Sequence, residues 1–378
     1  MPLPSEEQLL LRDMARGWAQ KNSPVKAFRT MRDSGNELGF EPQTLAAVAE
    51  MGWTGTVIPE SYGGSDVGYW SMGIILEELG RTLAAAPLIG SAVGAATVLK
   101  RAGSEAQKSA WLPRIADGSA IGALAIDETN HFAPERIRLE AVEQAGGFVL
   151  SGRKNLVHEG MAADFFVVAA RTRGELTDSE GISLLLVPSD RAGLTRSRRR
   201  LLDSRGYADL VVNGVEVANE DVIGSLHEGR PVLDRALDCA AGAAAAEALG
   251  LAIQAFETTL EYLKVRVQFG QVIGTFQALQ HRAAKLYTDI QLARPALETA
   301  LDALDQDSPE APVLVSLAKA TINDLVNHSS REMIQLHGGI GMTDAHDAGF
   351  YLKRARVLES AFGTSAYHRE RFARLNGF

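Results

Sequence analysis

The order of structural patterns along the chain is the feature that most limits its fold. Residues 1 to about 118 carry apolar residues at helical spacing, as in EEQLLLRDMARGWAQ and SMGIILEELGRTL. Residues from about 119 to 225 are instead short β-branched or aromatic runs bounded by Gly, Asp or Pro, which favour antiparallel strands. From 226 to 378 long helical patterns return. We therefore predict three domains in the order helical, β and helical.

Three long helical patterns lie in series in the last zone. They cover residues 232–266, 276–304 and 311–338, and such a series is typical of an antiparallel bundle. The most apolar window runs from 236 to 256, is mostly alanine and includes Asp238 and Glu247. Because a membrane-spanning helix rarely carries acidic residues, we expect a buried bundle helix here and no membrane span.

Charge and cysteine content limit the kinds of partner. The net charge is −9, which argues against a nucleic-acid ligand because such ligands require a basic face. The exception is the basic run 196–200, which we interpret as a solvated loop or as a contact for an anion such as a CoA phosphate. The single cysteine, Cys239, excludes an internal disulfide and a cysteine-based zinc site, and it fits a small buried side chain in a cytoplasmic protein.

Two C-terminal motifs carry candidate ligand-binding groups. RVQFGQVIGTFQALQH, residues 266–281, places an arginine and a glutamine at a predicted helix end, where Gly270 breaks the helix. These groups suit a pyrophosphate, although a simple C-terminal cap explains them equally. QLHGGIGMTDAHD, residues 335–347, has paired glycines after a long helix, which allow a ligand to approach the backbone or simply join two helices.

Taken together and in this order, the segments resemble the acyl-CoA dehydrogenase family over nearly the whole chain. Residues 51–81 are similar to the family's N-terminal signature and residues 146–171 to its middle domain. The two motifs above are similar to its C-terminal FAD motifs. The resemblance implies an α+β fold with an N-terminal helical domain, a middle antiparallel β-domain and a C-terminal four-helix bundle, with boundaries at 118 and 225.

The resemblance also implies a reaction and a cofactor. Family members bind FAD; a glutamate removes the α-proton of an acyl-CoA thioester, and the β-hydrogen leaves as hydride to the flavin, which yields a trans-2-enoyl-CoA. The two C-terminal motifs hold the ADP half of an FAD that is seated mainly in a neighbouring subunit. Carried onto this chain, the cofactor-binding residues are Arg266, Gln268, Phe269, Gln335, Gly338, Gly339 and Thr364.

The usual catalytic base of the family is missing. It is the glutamate of a Glu-Gly-Thr segment, and the matching residue here is Phe362, which cannot accept a proton. Some members carry the glutamate on the first long C-terminal helix instead, and the matching residue here is Ala240. Three acids lie near these positions, Asp238 and Glu247 near Ala240 and Glu359 near Phe362, and of these Glu247 and Glu359 are the candidate bases. Glu247 either has a pKa raised by burial and acts as a relocated base, or pairs with an arginine and locks the bundle.

The segments that cradle the flavin ring in the family are also changed. In place of a TEPxxGSD-like loop the chain has Ile126–Ala141, of which only Glu128 matches the core triplet. The family's aromatic-Ile-Thr-Asn segment is replaced by Leu156–Glu159. The donors that would hold the isoalloxazine ring are therefore mostly missing.

The chain thus keeps the residues that clamp a neighbour's FAD and lacks the usual base and cradle for its own. This division resembles one subunit of the α2β2 bacterial members that act on steroid side-chain CoA esters. We predict a completing subunit of this kind in fatty acid β-oxidation or steroid catabolism, with an acyl-CoA substrate, a homologous partner chain and an electron-transfer flavoprotein. Two alternatives are open: a self-sufficient homo-oligomer that uses Glu247 as base, and a non-catalytic assembly or acyl-CoA-binding protein.

Overall fold

The first part of the chain is helical, as its apolar spacing predicts. The computed structural model describes residues 3–176, 178 and 180–378. The helices are α1 (Glu6–Asn22), α2 (Val25–Ser34), α3 (Pro42–Glu50), α4 (Gly68–Arg81), α5 (Ala96–Ala102) and α6 (Glu105–Ala116), and a π-helical segment, Leu88–Ala95, precedes α5. Ser5 and Ser104 each form a capping box with a glutamine, and these boxes set where α1 and α6 begin.

A β-sheet follows. Its strands are β1 (Gly122–Ala125), β2 (Glu140–Gln144), β3 (Gly147–Val157), β4 (Phe165–Arg171), β5 (Ile182–Pro188), β6 (Leu194–Arg199), β7 (Tyr207–Ala218) and β8 (Val222–Ile223). They are arranged in the order β6-β7-β3-β2-β4-β5-β8, with β1 beside β4. β4 and β5 are buried almost throughout, which matches their continuous apolar sequence. Most neighbours are antiparallel, and the exceptions are the parallel pairs β1–β4 and β2–β4.

The apolar pattern does not predict β2 or β6, because both strands are largely exposed and rich in charged residues. The interpretation of the basic run as a solvated loop is wrong for residues 196–199, which lie in β6. Arg196 donates to the carbonyl of Ala163 at 2.8 Å, and Arg199 forms an ion pair with Asp209 at 2.6 Å. These two arginines therefore hold the sheet together.

The last part contains the three long helices and two shorter ones. They are α7 (Arg230–Val265), α8 (Gln277–Asp305), α9 (Ala311–His337), α10 (Ala348–Ser360) and α11 (Ser365–Leu375), with a small hairpin of β9 (Val267–Gln268) and β10 (Gln271–Val272) after α7. Helix α7 is long and apolar enough to cross a membrane, but its most apolar window is wholly buried within the fold. It is therefore a core helix, as its alanine-rich sequence predicts.

The chain divides into two compact units. The helical unit comprises the residues up to Arg29, Gly73–Ala84 and Ala241–Phe378, and the sheet unit comprises Thr30–Met72 and Ala85–Ala240. In the helical unit α8, α10 and α11 all pack on α9. In the sheet unit the core consists of inward-facing apolar residues of the strands, such as Leu150 and Phe166. The α+β fold class is confirmed, whereas the domain boundaries at 118 and 225 stay a prediction.

Two glycines allow α4 and α7 to meet closely in the helical unit. A Cβ atom on Gly250 would lie 1.8 Å from the carbonyl oxygen of Glu77, and one on Gly80 would lie 2.3 Å from that of Glu247. Because a backbone oxygen cannot rotate away, a larger residue forces the two helices apart. We expect Gly250→Ala to lower the free energy of unfolding by about 1–3 kcal/mol in urea denaturation.

The matched control for this variant is Gly17→Ala. Gly17 lies in the interior of α1, is exposed, and has open space where a Cβ would be added. Alanine there should raise the free energy of unfolding by about 0.5–1 kcal/mol through helix propensity alone. If both variants shifted stability in the same direction, the close approach of α4 and α7 would not be the cause.

Candidate functional site

The first C-terminal motif forms a hairpin rather than the predicted helix end. Helix α7 stops at Val265, and β9 and β10 pair with Gln268 opposite Gln271. The two residues between them, Phe269 and Gly270, have φ angles of 56° and 80°, as in a tight two-residue hairpin turn. Gly270 therefore makes the turn of a hairpin instead of ending a helix, and the ring of Phe269 at its tip is 90% exposed.

The second motif forms the corner after α9. Gly338 has φ 64° and ψ −140°, a conformation that strongly favours glycine. Open space surrounds the positions where Cβ atoms would be added at Gly338 and Gly339, so a ligand can approach this backbone. Gln335 lies one turn earlier and is exposed. The imidazole of His337 is buried, its pKa is lowered by that burial, and its Nδ1–H donates to the Met333 carbonyl at 2.8 Å.

A ring contact joins the two motifs. Tyr262, one turn before Arg266, stacks on His337 with ring centroids 4.4 Å apart, and its hydroxyl donates to the His337 carbonyl at 3.4 Å. Within the described residues, the exposed guanidinium of Arg266 and the side-chain amide of Gln335 form no hydrogen bond or ion pair. We use the term clamp surface for the six predicted cofactor-binding residues of these motifs: Arg266, Gln268, Phe269, Gln335, Gly338 and Gly339.

The clamp surface fits an anionic group of a cofactor. An unpaired guanidinium and a planar amide donor suit a pyrophosphate, and the open glycines leave room beside them. Exposed apolar side chains also occur in and next to these motifs, and they include Val265, Ile340 and Met342. The chemistry of the ADP half of FAD therefore matches this surface.

Residues 126–141 form the loop that stands in place of the family's flavin-binding loop, and hydrogen bonds within this loop hold its shape. The carboxylate of Glu128 accepts the backbone N–H groups of Arg138 at 2.8 Å and Leu139 at 2.9 Å. It also pairs with the ammonium of Lys154 at 2.7 Å, and that side chain is fully buried. Burial lowers the pKa of Lys154, and the nearby Glu128 opposes the shift. Glu128 thus holds the loop closed, and the amides that it accepts are not available to a flavin ring.

Asp127 forms two further hydrogen bonds, one within this loop and one to β3. Its carboxylate accepts the Ala133 N–H at 3.1 Å, and its carbonyl accepts the Asn155 N–H at 2.6 Å. Burial raises the pKa of Asp127 to about 6. The amides of Ala133, Arg138 and Leu139 are therefore engaged with Asp127 and Glu128 and do not face a flavin ring as free donors, whereas the loss of the cradle as a whole stays a prediction.

The segment Leu156–Glu159 has an unusual backbone. Leu156 and Glu159 have φ angles of 53° and 56°, which are uncommon for residues other than glycine and often mark functional sites. A Cβ atom on Gly90, in the π-helical segment, would lie 1.9 Å from Oε2 of Glu159. Gly90 is thus required for the Glu159 carboxylate to reach this position. The sequence patterns do not indicate this contact, since the two residues belong to separate segments.

Phe362 occupies the turn between α10 and α11. Its side chain is buried, its φ is 54°, and its carbonyl accepts a hydrogen bond from Nε2 of His368 at 2.9 Å. Thr364 is exposed and caps α11 by accepting the Tyr367 N–H at 3.3 Å. The family's usual base position is therefore a packed aromatic ring, while the predicted cofactor-binding threonine beside it faces outward.

The alternative base position, Ala240, is fully buried. Its neighbour Cys239 is also buried, and burial raises the pKa of the Cys239 thiol to about 11. The thiol therefore stays protonated and unreactive near neutral pH. Cys239 behaves as a small buried side chain, as its alanine-rich surroundings predict.

Glu247 forms a buried ion pair. Its two carboxylate oxygens accept Nε and an Nη of Arg354 on α10, both at 2.7 Å, and the two side chains are 6% and 8% exposed. This bidentate geometry favours the interpretation of Glu247 as a lock between α7 and α10. Catalysis by Glu247 stays a prediction that a variant must test.

Glu359, the candidate base near Phe362, also has polar partners. The Glu359 carboxylate accepts Nδ2 of Asn327 at 2.8 Å and pairs with Arg356 at 2.7 Å. Neither acid of the helical unit that the sequence offers as a base is therefore a lone carboxylate.

Comparisons with known proteins agree along the chain. Sequence models described as the N-terminal, middle and C-terminal domains of acyl-CoA dehydrogenase match residues 5–119, 130–219 and 227–375. Among curated relatives, a probable acyl-CoA dehydrogenase of Bacillus subtilis (strain 168), YngJ, is 30% identical over 376 residues, which cover 98% of each chain.

Two similar solved structures each have a name that joins two proteins. A variant of the Tcur3481–Tcur3483 steroid ACAD is 27% identical, with 98% of each chain covered and a TM-score of 0.88. The ChsE4–ChsE5 complex from Mycobacterium tuberculosis is 25% identical, with 100% of each chain covered and a TM-score of 0.88.

Proposed function

Because the chain belongs to the acyl-CoA dehydrogenase family, whose cofactor is FAD, we propose that it is the completing subunit of a heteromeric acyl-CoA dehydrogenase. In this proposal the chain contributes its clamp surface to an FAD that is cradled by a homologous partner subunit. The partner supplies the carboxylate base. The enzyme then oxidises an acyl-CoA thioester to a trans-2-enoyl-CoA in the cytoplasm.

One observation carries the proposal: the clamp surface is open, while the catalytic positions are occupied by groups that cannot act. Arg266 and Gln335 are exposed and available, whereas Phe362 and Ala240 are buried and have no acid. A single chain with these features can bind the anionic part of a cofactor, but it has no acid at the two positions that match the family's bases, and the buried acid Glu247 is paired with Arg354.

Bound FAD supplies the two-electron oxidation, and this chain's contribution is to hold the cofactor. Arg266 neutralises phosphate charge, Gln335 orients it, and the open backbone at Gly338 lets it approach. The α-proton passes to the partner's carboxylate, and the electrons leave to an electron-transfer flavoprotein.

A bulky steroid side-chain CoA ester is the substrate we favour within this class. The support is the likeness to a steroid ACAD and to a two-protein complex, both of which match the chain over nearly its full length. The same likeness supports a heterotetramer rather than a homo-oligomer of this chain.

The first test is the amount of flavin bound per chain, measured by visible absorbance on the protein purified alone and with a candidate partner. We expect little FAD on the chain alone and about one FAD per two chains in the complex, because one clamp surface then serves each cradle. A full FAD on each chain in a homo-oligomer, with turnover, would reject the proposal in favour of the self-sufficient enzyme. A complex without flavin would favour the assembly protein.

A further inference from the structure

Buried polar side chains on α9 and α11 form hydrogen bonds to the backbone of the turn between α10 and α11. Lys319 and Asn323 lie one helical turn apart on α9, and His368 lies on α11. All three are at most 1% exposed. We call these three residues the turn brace.

Lys319 supplies the centre of the brace. Its Nζ donates to Oδ1 of Asn323 at 2.7 Å, to the Leu358 carbonyl at 2.9 Å and to the Gly363 carbonyl at 3.4 Å. An ammonium group has three N–H donors, so these three acceptors use all of them. Leu358 belongs to the last turn of α10, where free carbonyls and the helix dipole favour a cation.

Asn323 and His368 bind the rest of the turn. Nδ2 of Asn323 donates to the carbonyls of Glu359 at 3.1 Å and Gly363 at 3.2 Å. His368 binds the Phe362 carbonyl through Nε2, while its Nδ1 is buried and has no hydrogen-bond partner in the part of the chain that the structure describes. Burial lowers the pKa of His368 to about 3, so the ring is neutral and carries its proton on Nε2.

The turn needs such support because its backbone is unfavourable. Phe362 has a φ of 54°, in the left-handed region that bulky residues rarely adopt. Conformations of this kind persist when the surrounding structure over-determines them. The brace meets this requirement, since it binds two carbonyls at the end of α10, those of Leu358 and Glu359, and two in the turn, those of Phe362 and Gly363.

We propose that the turn brace positions part of the flavin site. Lys319, with Asn323 and His368, holds the turn at Phe362 in the conformation in which the Phe362 side chain is buried and the Thr364 side chain is exposed. This inference rests on the proposed function for its link to flavin. Its structural part, the dependence of the turn on Lys319, stands separately. Lys319 touches neither substrate nor cofactor in this scheme and acts through the backbone of the turn.

The depressed pKa of Lys319 makes both the turn and the whole fold respond to pH. Burial lowers the pKa of Lys319 to about 7, and the carboxylate of Glu359 on α10 opposes the shift. His368, which faces Lys319 from α11, is neutral near this pH, and Arg371 contributes further positive charge near His368. When the turn opens, the Lys319 amine reaches water and its pKa rises towards the ordinary value of about 10.4, so opening takes up a proton above pH about 7 and becomes less favourable as the pH rises.

Global stability should change in the same direction. The pKa of Lys319 is lower in the folded state than the unfolded value of about 10.4, so the unfolded state binds more protons between pH about 7 and about 10. The contribution of this group to the free energy of unfolding therefore rises with pH in that window.

The experiment compares wild type, Lys319→Met and the control Ser330→Ala by amide hydrogen exchange. Ser330 is buried on the same helix, and its hydroxyl bonds within α9 to the Asn327 carbonyl. In Lys319→Met we expect about tenfold or faster exchange in residues 361–368, since hydrogen bonds to a charged group are lost. Wild-type exchange there, corrected for the intrinsic rate, should fall as the pH rises above neutral, whereas Lys319→Met should lose this fall and Ser330→Ala should keep it.

The second readout is the rate of flavin release from the complex with the partner subunit. Lys319→Met should release flavin faster, and its rate should lack the fall above neutral pH that is expected of wild type. Unchanged exchange in residues 361–368 would overturn the brace. Changed exchange with unchanged flavin release would overturn its link to the flavin site. If wild type itself retains no flavin with any partner, the proposed function fails while the exchange result still decides the brace.

A milder variant covers the case in which Lys319→Met does not fold. Asn323→Ser removes the amide that donates to Glu359 and Gly363 and keeps the Lys319 ammonium. It should give the same local increase in exchange, with the pH response preserved. If residues 361–368 of Asn323→Ser exchanged at the same rate as in wild type, the proposal would be overturned.

Discussion

Arg354→Met should lower the free energy of unfolding by about 3–5 kcal/mol, which is the typical effect of removing one partner of a buried ion pair. The physical reason is that the Glu247 carboxylate, whose side chain is 6% exposed, is left in the protein interior without the guanidinium that binds both of its oxygens. Chemical denaturation of the purified chain measures the change.

The control is the double variant Glu247→Leu/Arg354→Met. Replacing both charges by apolar groups of similar size is often neutral or stabilising, so much of the lost stability should return. Glu247→Gln decides between the lock and the base. A variant that keeps its stability and its flavin but loses turnover would identify Glu247 as a base and contradict the lock.

Arg266→Ala should weaken FAD binding in the heteromeric complex by about 10- to 100-fold, because a charge-assisted hydrogen bond contributes about 1.5–3 kcal/mol. The guanidinium of Arg266 is exposed, so the stability of the chain should not change. Flavin fluorescence on titration of the apo-complex measures the affinity. Arg266→Lys should restore only part of it, since a point charge lacks the bidentate geometry.

The matched control is Lys264→Ala, which removes an exposed cation two residues away. Lys264 pairs with Glu261 at 2.6 Å within α7 and lies outside the clamp surface. Its removal should leave FAD affinity unchanged. An equal loss in both variants would mean that general charge, rather than the clamp surface, attracts the cofactor.

The helical part of the fold is readable from the sequence wherever a single element carries its own signal. The patterns for α8 and α9 predict residues 276–304 and 311–338, and the helices span Gln277–Asp305 and Ala311–His337. The apolar runs predict β4 and β5 for the same reason. The prediction is wrong at residues 266–272, because helix α7 gives way to a hairpin whose turn depends on left-handed φ angles at Phe269 and Gly270.

The candidate site was also readable from the sequence only in part. The sequence by itself determined the family and the absence of an acid at Phe362 and Ala240, and it predicts the clamp residues, since these follow from residue identity and spacing. Only the tertiary structure decided which groups meet: Glu247 with Arg354, and Lys319 with the carbonyl of Gly363. The partners in these contacts are 107 and 44 residues apart in the chain, and no local pattern of hydrophobicity or turn propensity extends over such distances. The folded backbone brings them together, and only burial in the folded state makes pairing of their charges and carbonyls obligatory.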